Sequence, residues 1–350
     1  MTTRCNLPGC VMCPRTAWPD RWQARDLSWD TFEALIASAR FFSHVHLSGW
    51  GEPLLHPRLW EMARLLKAQG LKVSLTTNGL GLSEEAQRQA LEHLEMVAIS
   101  LDGARAETYE TLRPGGDFHR LTANIAALCS RKRSLGLKKP EVVLRFLKMR
   151  PNLAELPELV KLAASLGVDR VNAPNLDFIP VPEMEPLSLW PSGPPDPEMA
   201  ARQREAEEAA MAVSIPLRNF SLSPTLDLRV CDANPLLNAF VTVSGEVAPC
   251  VYLGLPVAGS FRRHYLDKVY QVGNYSYGNI RKLDFVTLSR QPAYLNFIDY
   301  FRGPVEIFAL LQPASQEARS PAGGLGTGRA CTFSGRWPPS CQGCLKNIGL

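Results

Sequence analysis

The chain has 350 residues, 45% hydrophobic and 21% charged, with a net charge of +4. That is enough for one large α/β unit with an appended piece, and the composition is that of an ordinary globular protein. No run approaches the eighteen or so unbroken apolar residues of a membrane span, and the polar start Thr2-Thr3-Arg4 is unlike a signal peptide, so a cytoplasmic protein with no membrane partner is predicted.

In chain order the first feature is CNLPGCVMCP, which puts Cys5, Cys10 and Cys13 within nine residues. A closed structural zinc or iron-sulfur site takes four ligands, so a group of three points to a metal centre with one position left open. Leu7-Pro8-Gly9-Cys10 reads as a type II turn that curls the loop. A zinc site completed by a distant fourth ligand is the alternative.

Helical and strand patterns then alternate: a helix over 29–40 after an N-cap at Ser28, a strand over 44–48, a helix over 57–70, and a strand over 71–78. A helix over 83–94 capped by Ser83, a strand over 96–103, a helix over 118–134 and a strand over 141–149 follow. A helix over 153–167 and a strand over 168–174 close the series. This rhythm specifies parallel strands joined by right-handed crossovers. Five strands are visible after the cysteine loop. A sixth is expected before it, where only four residues stand, so that strand reads as lost or reduced to a stub.

The basic run Arg131-Lys132-Arg133 falls where a helix ends and its cations suit the helix dipole, so no nucleic-acid partner is predicted. A Pro-rich stretch over 174–198 reads as a linker or active-site loop, followed by a charged helix over 197–212. From 213 the pattern changes to short strands, such as AFVTVSG and EVAPCVYLG, an amphipathic segment near 291–302, a Gly-rich stretch at 322–328 and a cysteine-bearing end. The predicted division is 1–175 for the barrel, 176–212 for the linker and helix, and 213–350 for the tail.

Cysteines are also many in the last third: Cys231, Cys250, Cys331, Cys341 and Cys344. In a reducing compartment metal binding explains them better than disulfides. Cys129 sits in a predicted helix and reads as a small buried hydrophobe. His44 and His46 alternate on one strand and read as partly buried, hydrogen-bonded rings, while His56 shapes a turn. Trp18, Trp22 and Trp29 read as packing residues.

Strand ends are where parallel α/β folds place ligand sites, and here they carry SGWGEPLLHP (48–57), LTTNG (75–79) and SLDG (100–103). Behind the cysteine triplet, this combination resembles the radical SAM superfamily, in members with a cysteine-rich SPASM or twitch extension, over nearly the whole chain. The resemblance implies a partial (β/α)6 TIM-like barrel with a small cysteine-rich C-terminal α+β domain. It implies that Cys5, Cys10 and Cys13 hold a 4Fe-4S cluster whose fourth iron binds S-adenosyl-L-methionine. Gly49, Gly51 and Glu52 would line the methionine amine; Thr77, Asn78, Ser100 and Asp102 would bond the ribose and methionine. Arg113 and Arg145 are candidates for a carboxylate of the cofactor or substrate. The cysteine spacing, four residues and then two, departs from the family's three and two, with the extra residue in the Pro8-Gly9 turn.

Cys231, Cys250, Cys341 and Cys344 resemble the four-cysteine set of a twitch domain holding an auxiliary 4Fe-4S cluster. Cys331 stands as a substitute for one of them and a structural zinc as the alternative occupant. The activity implied is reductive cleavage of S-adenosylmethionine and hydrogen-atom abstraction from a substrate, in maturation of a peptide, protein or cofactor. The electron would come from a donor such as flavodoxin or ferredoxin. The alternatives are dehydrogenation of a small molecule such as an amino sugar, or an iron-sulfur electron carrier without radical chemistry.

Overall fold

The computed structural model describes residues 1–189, 196–222, 230–265, 268–301, 331–332, 337–344 and 346. One six-stranded parallel sheet dominates it, with strands in chain order: β1 (His44–His46), β2 (Lys72–Thr77), β3 (Met96–Ser100), β4 (Glu141–Arg145), β5 (Arg170–Ala173) and β6 (Leu217–Asn219). A parallel sheet in sequential order, with a helix after nearly every strand, curves into a partial barrel open between β1 and β6.

The helices follow their local signals. The first long helix, α1 (Trp29–Ile36), is capped by the Ser28 hydroxyl. It ends earlier than residue 40, where the chain tightens into a 3-10 turn over Ala39–Phe41. After α2 (Leu59–Ala68), helix α3 (Glu84–His93) takes the Ser83 cap, with the hydroxyl accepting from Ala86 N. Then come α4 (Ala106–Leu112), α5 (Phe118–Ser134), α6 (Leu156–Leu166) and α7 (Pro197–Ala212). Apolar faces of these helices meet Leu75, Val97, Ile99, Leu144 and Val171, each without exposed surface. Cys129 on α5 is 1% exposed in this core, as expected of a small hydrophobe. At the end of α5, Arg131 pairs with Glu84 and Lys132 with Asp169, so the basic run is helix-end charge.

Among the described residues no strand precedes the cysteine loop, only a bridge from Thr2 to Asp26, which fits the expected stub; a further strand, β6, joins the sheet after the Pro-rich stretch, beyond residue 175. Lys148, fully buried, fastens that strand by donating to Asn219 Oδ1 (2.9 Å) and to Phe220 O. The Pro-rich stretch is also not wholly irregular, since Pro182–Leu187 forms a 3-10 turn.

Beyond β6 the elements are short: β7 (Val230–Cys231), β8 (Phe240–Val241), β9 (Val247–Ala248), and a hairpin of β10 (Ser260–Tyr265) with β11 (Lys268–Gly273). A helix over Pro292–Ile298 and β12 (Cys331–Thr332), paired with β7, complete the described tail. The Gly-rich 322–328 stretch lies outside the described residues. Among the described residues no helix is long and apolar enough to cross a membrane.

Candidate active site

The amino-terminal cysteine loop lies across the sheet's carboxyl edge. Gly9 is not in the left-handed region, so the expected type II turn does not form. Contacts hold the curl instead. Leu7 is buried, Val11 N donates to Leu112 O (3.1 Å), and Cys10 O accepts from Cys13 N (3.1 Å) and the Thr16 hydroxyl (3.0 Å). Arg15 reaches back to Leu7 O.

Cys5, Cys10 and Cys13 face one cavity of about 250 Å³, and Gly49, Gly51, Glu52, Thr77, Asn78, Ser100, Asp102 and Arg145 line the same space. Arg113 lines it too, so all twelve residues singled out for the amino-terminal site converge. Burial pushes the Cys10 thiol up to about 11, with Arg113 opposing and the Cys13 and Cys5 thiols adding to it. Burial raises Cys13 as well. These thiols sense one another, and such a buried set stays protonated unless a cation takes the proton's place.

Several of these side chains serve the wall itself. Glu52, 3% exposed, accepts from Thr77 Oγ1 (2.6 Å), Asn78 N (2.7 Å) and Leu54 N (3.1 Å), tying the end of β2 to the turn after β1. Burial raises its pKa against these bonds. A Cβ at Gly51 would stand 2.4 Å from Arg4 O and 2.5 Å from Thr2 O, so the glycine admits the protein's own amino-terminal segment. Asn78 donates to Asn6 Oδ1 (2.8 Å) and accepts from Leu80 N.

Asp102 is fully buried. Its carboxylate takes Arg113 Nη2 (2.6 Å) and Nε (2.7 Å) in a fork and accepts from Leu147 N (2.8 Å). Burial alone would lower the Arg113 pKa, but Asp102, together with Cys10 and Tyr109, more than offsets it and raises it above the ordinary value. Arg113 is thus spoken for, whereas the Arg145 guanidinium, exposed to the cavity at the end of β4, makes no hydrogen bond or ion pair among the described residues.

A second cavity, about 590 Å³, adjoins the first and shares Gly49, Trp50, Thr76, Arg145 and Tyr252 with it. It runs along the open side of the barrel, against every residue from His44 to Trp50, and is faced across the gap by Asn238 to Val241. Consecutive residues of both side-chain parities can line a space only if it abuts the strand's edge. Ser74 Oγ bridges His44 Nε2 (2.5 Å) and His46 Nδ1 (2.7 Å), while His46 Nε2 meets Thr76 Oγ1 (3.0 Å), matching the reading of hydrogen-bonded rings. His56 donates to Leu27 O and accepts from Arg58 N, shaping its turn. Trp18 packs on Phe178 and Phe261, and Trp22 on Trp50.

Cys231, Cys250, Cys341 and Cys344 come together in the tail. Burial raises Cys231 to about 12 and Cys250 to about 11, and the Cys344 thiol raises both, as it does Cys341. The Cys341–Cys344 turn needs Gly343, at φ +67° and with a Cβ position 2.4 Å from the Tyr270 ring. The Cys331 backbone pairs with that of Cys231, but its side chain lies outside the description. Among the described residues no three His, Cys, Asp or Glu side chains form the shell of a single metal ion. The donors on both sites are soft thiols, the set that suits iron-sulfur clusters.

Sequence reasoning missed the seam between the two sites. Asp177 and Tyr252 both line the smaller cavity, with the Tyr252 hydroxyl donating to the Asp177 carboxylate at 2.7 Å. Trp50 Nε1, from the Gly-Trp-Gly-Glu-Pro segment, donates to Val251 O (2.9 Å), next to Cys250. The only sequence signal was position: Tyr252 follows Cys250 by two residues, and Lys346 follows Cys344 by two.

Comparison with known proteins agrees with this geometry. Residues 1–163 match the model of the Radical SAM superfamily. Over these residues the chain is similar to radical SAM proteins. That family binds a 4Fe-4S cluster and S-adenosylmethionine. The chain is 28% identical over 304 residues to the tungsten-containing aldehyde ferredoxin oxidoreductase cofactor-modifying protein of Pyrococcus furiosus, covering 85% of this chain and 81% of that one. It is 29% identical over 262 residues to the PqqA peptide cyclase of Gluconobacter oxydans, covering 71% and 68%. The structure of Streptococcus suis SuiB bound to S-adenosylmethionine has the same fold, with a TM-score of 0.61 at 11% identity, over 85% of this chain and 66% of that one.

Proposed function

We propose that this chain is a radical SAM protein that matures a peptide or protein substrate, using one cluster with an open corner and one closed auxiliary cluster. Cys5, Cys10 and Cys13 would hold the first, and Cys231, Cys250, Cys341 and Cys344 the second. The observation that carries the reading is the single cavity shared by the three cysteines and the eight strand-end residues. Held there by Cys5, Cys10 and Cys13, a 4Fe-4S cluster with S-adenosylmethionine would supply one-electron radical chemistry for hydrogen-atom abstraction from the substrate.

The chain's own residues orient and shield. Arg145, the cation left without a partner among the described residues, would take the cofactor's carboxylate in a bidentate pair. Ser100, its register partner on β3, and Thr77 and Asn78 at the end of β2 offer short polar contacts alongside. Trp50, Phe178 and Tyr252 wall the cavity, with Phe178 stacked on Tyr252 at 5.7 Å and Trp50 edge-on to Tyr252 at 5.8 Å. Such a wall excludes water from a reactive intermediate.

The substrate seat is the larger cavity. The β1 edge offers backbone groups to an extended peptide, while Phe42, Phe240 and Phe285 give apolar pockets for its side chains. The peptide-cyclase relative supports a polypeptide substrate, and an electron donor of flavodoxin or ferredoxin type would feed the first cluster.

The test is anaerobic reconstitution with iron and sulfide, then dithionite and S-adenosylmethionine, with 5'-deoxyadenosine as the readout. Its formation is expected; a protein with an intact amino-terminal cluster that releases none would overturn the proposal.

A further inference from the structure

Among the described residues, a set of contacts centred on one carboxylate and its partner Tyr252 joins the tail cysteine segments to the SAM cavity. Asp177, 12% exposed in its side chain, lines that cavity. It accepts from the Tyr252 hydroxyl and pairs with Lys346 Nζ at 3.0 Å. Lys346 also faces Asp232, adjacent to Cys231, at 3.7 Å. Buried Arg263 donates to Tyr252 O (3.1 Å) and to Ser340 O (3.4 Å), the residue before Cys341. Segments carrying Cys231, Cys250, Cys341 and Cys344 are therefore each tied, within two residues of the thiol, to this one hub.

We propose that Asp177 is a positioning residue that registers the tail four-cysteine site against the SAM cavity, through Tyr252 on the Cys250 segment and Lys346 on the Cys344 segment. This rests on the auxiliary-cluster reading above. The physical argument is that a half-buried cation and a half-buried phenol both need an acceptor, and one carboxylate in the barrel wall serves both. Any metal centre that fixes Cys250 and Cys344 thereby fixes Tyr252, the ring shared by both cavities. Assembly of the tail centre and closure of the wall become one event.

Two consequences follow. Replacing Asp177 by Asn leaves Lys346 short of an anion close to the tail site, and extra positive charge favours the reduced state of a nearby cluster. The hub's geometry also loosens, because an amide cannot hold both the ammonium and the phenol as a carboxylate does.

The experiment compares reconstituted wild-type, Asp177→Asn, Asp177→Glu, Tyr252→Phe and Asp232→Asn proteins by iron content, thermal melting and redox-titrated electron paramagnetic resonance. Asp177→Asn is expected to raise the tail potential and alter that signal. Asp232→Asn should shift the potential the same way by less, since it is farther from Lys346 and 38% exposed. Asp177→Glu should restore most of the wild-type potential, and Tyr252→Phe, which keeps the charges, should alter line shape more than potential.

Iron of about eight per chain in Asp177→Asn, with a tail potential and signal identical to wild type, overturns this proposal alone. Wild-type iron of about four per chain, unchanged by Cys344→Ala, overturns the auxiliary-cluster reading and this proposal with it. Should Asp177→Asn lose its fold, an unmoved tail signal in both Tyr252→Phe and Asp232→Asn is the overturning result.

Discussion

The two cysteine groups differ in how the chain holds them. The amino-terminal three sit on one ten-residue loop laid over a finished sheet, and the wall opposite is built from strand ends in register. The tail four come from three separate segments with little regular structure, whose described elements are short strands and a hairpin. The first site is preorganised by the barrel. The second depends on side-chain ties such as those to Asp177 and Arg263, so its metal contributes more to its own order.

Substitutions at the two sites should therefore behave differently. The largest effect is expected for Cys13→Ala, which should reduce 5'-deoxyadenosine formation to background while leaving the tail iron in place. Cys344→Ala should remove about half the iron and substrate turnover yet keep S-adenosylmethionine cleavage, measured as uncoupled 5'-deoxyadenosine. Equal loss of cleavage in both would erase the distinction between the sites.

A structural probe of the barrel side comes next. Glu52→Ala leaves Thr77 Oγ1, Asn78 N and Leu54 N without their acceptor, and a loss of about 2–4 kcal/mol in denaturant unfolding is expected. The smallest effect is one of pH. Desolvation beside the lateral cavity, with His44 and Arg145 nearby, lowers the His46 pKa to about 4, below the ordinary 6.5 of the unfolded chain, although the residue is exposed. Between these values the unfolded state binds more protons, so stability should fall as pH drops from about 6.5 toward 4. The ring's opening to the lateral cavity trims the size. Melting curves of His46→Gln should be flatter over that window.

Much of the barrel was legible in the sequence because its signals are local. Ser83 before an apolar helical period and the alternation in LKVSLTTN each determine an element within a dozen residues, and the strand-end motifs place the cavity lining. What was not legible was long-range. The sixth strand, LRN at 217–219, is too short to announce itself, and only pairing with β5 and the buried Lys148 make it part of the sheet. The β10–β11 hairpin escaped notice because two adjacent polar residues, Arg263 and His264, are both buried there and break the apolar alternation. Asp102 also holds Arg113 and Leu147 N, and Gly51 also admits Thr2 and Arg4, structural duties that their motifs did not announce. Asp177 has no motif at all. Its role follows from two residues that reach it, Tyr252 from 75 positions away and Lys346 from near the far end of the chain.

The central claim is an amino-terminal iron-sulfur cluster held by three protein thiols with one iron free for S-adenosylmethionine. The most direct test is electron paramagnetic resonance of the dithionite-reduced Cys231→Ala/Cys250→Ala/Cys341→Ala/Cys344→Ala protein, recorded with and without S-adenosylmethionine. The account expects a single cluster signal whose shape changes when S-adenosylmethionine is added. A signal indifferent to it, or no iron bound at Cys5, Cys10 and Cys13, would contradict the account.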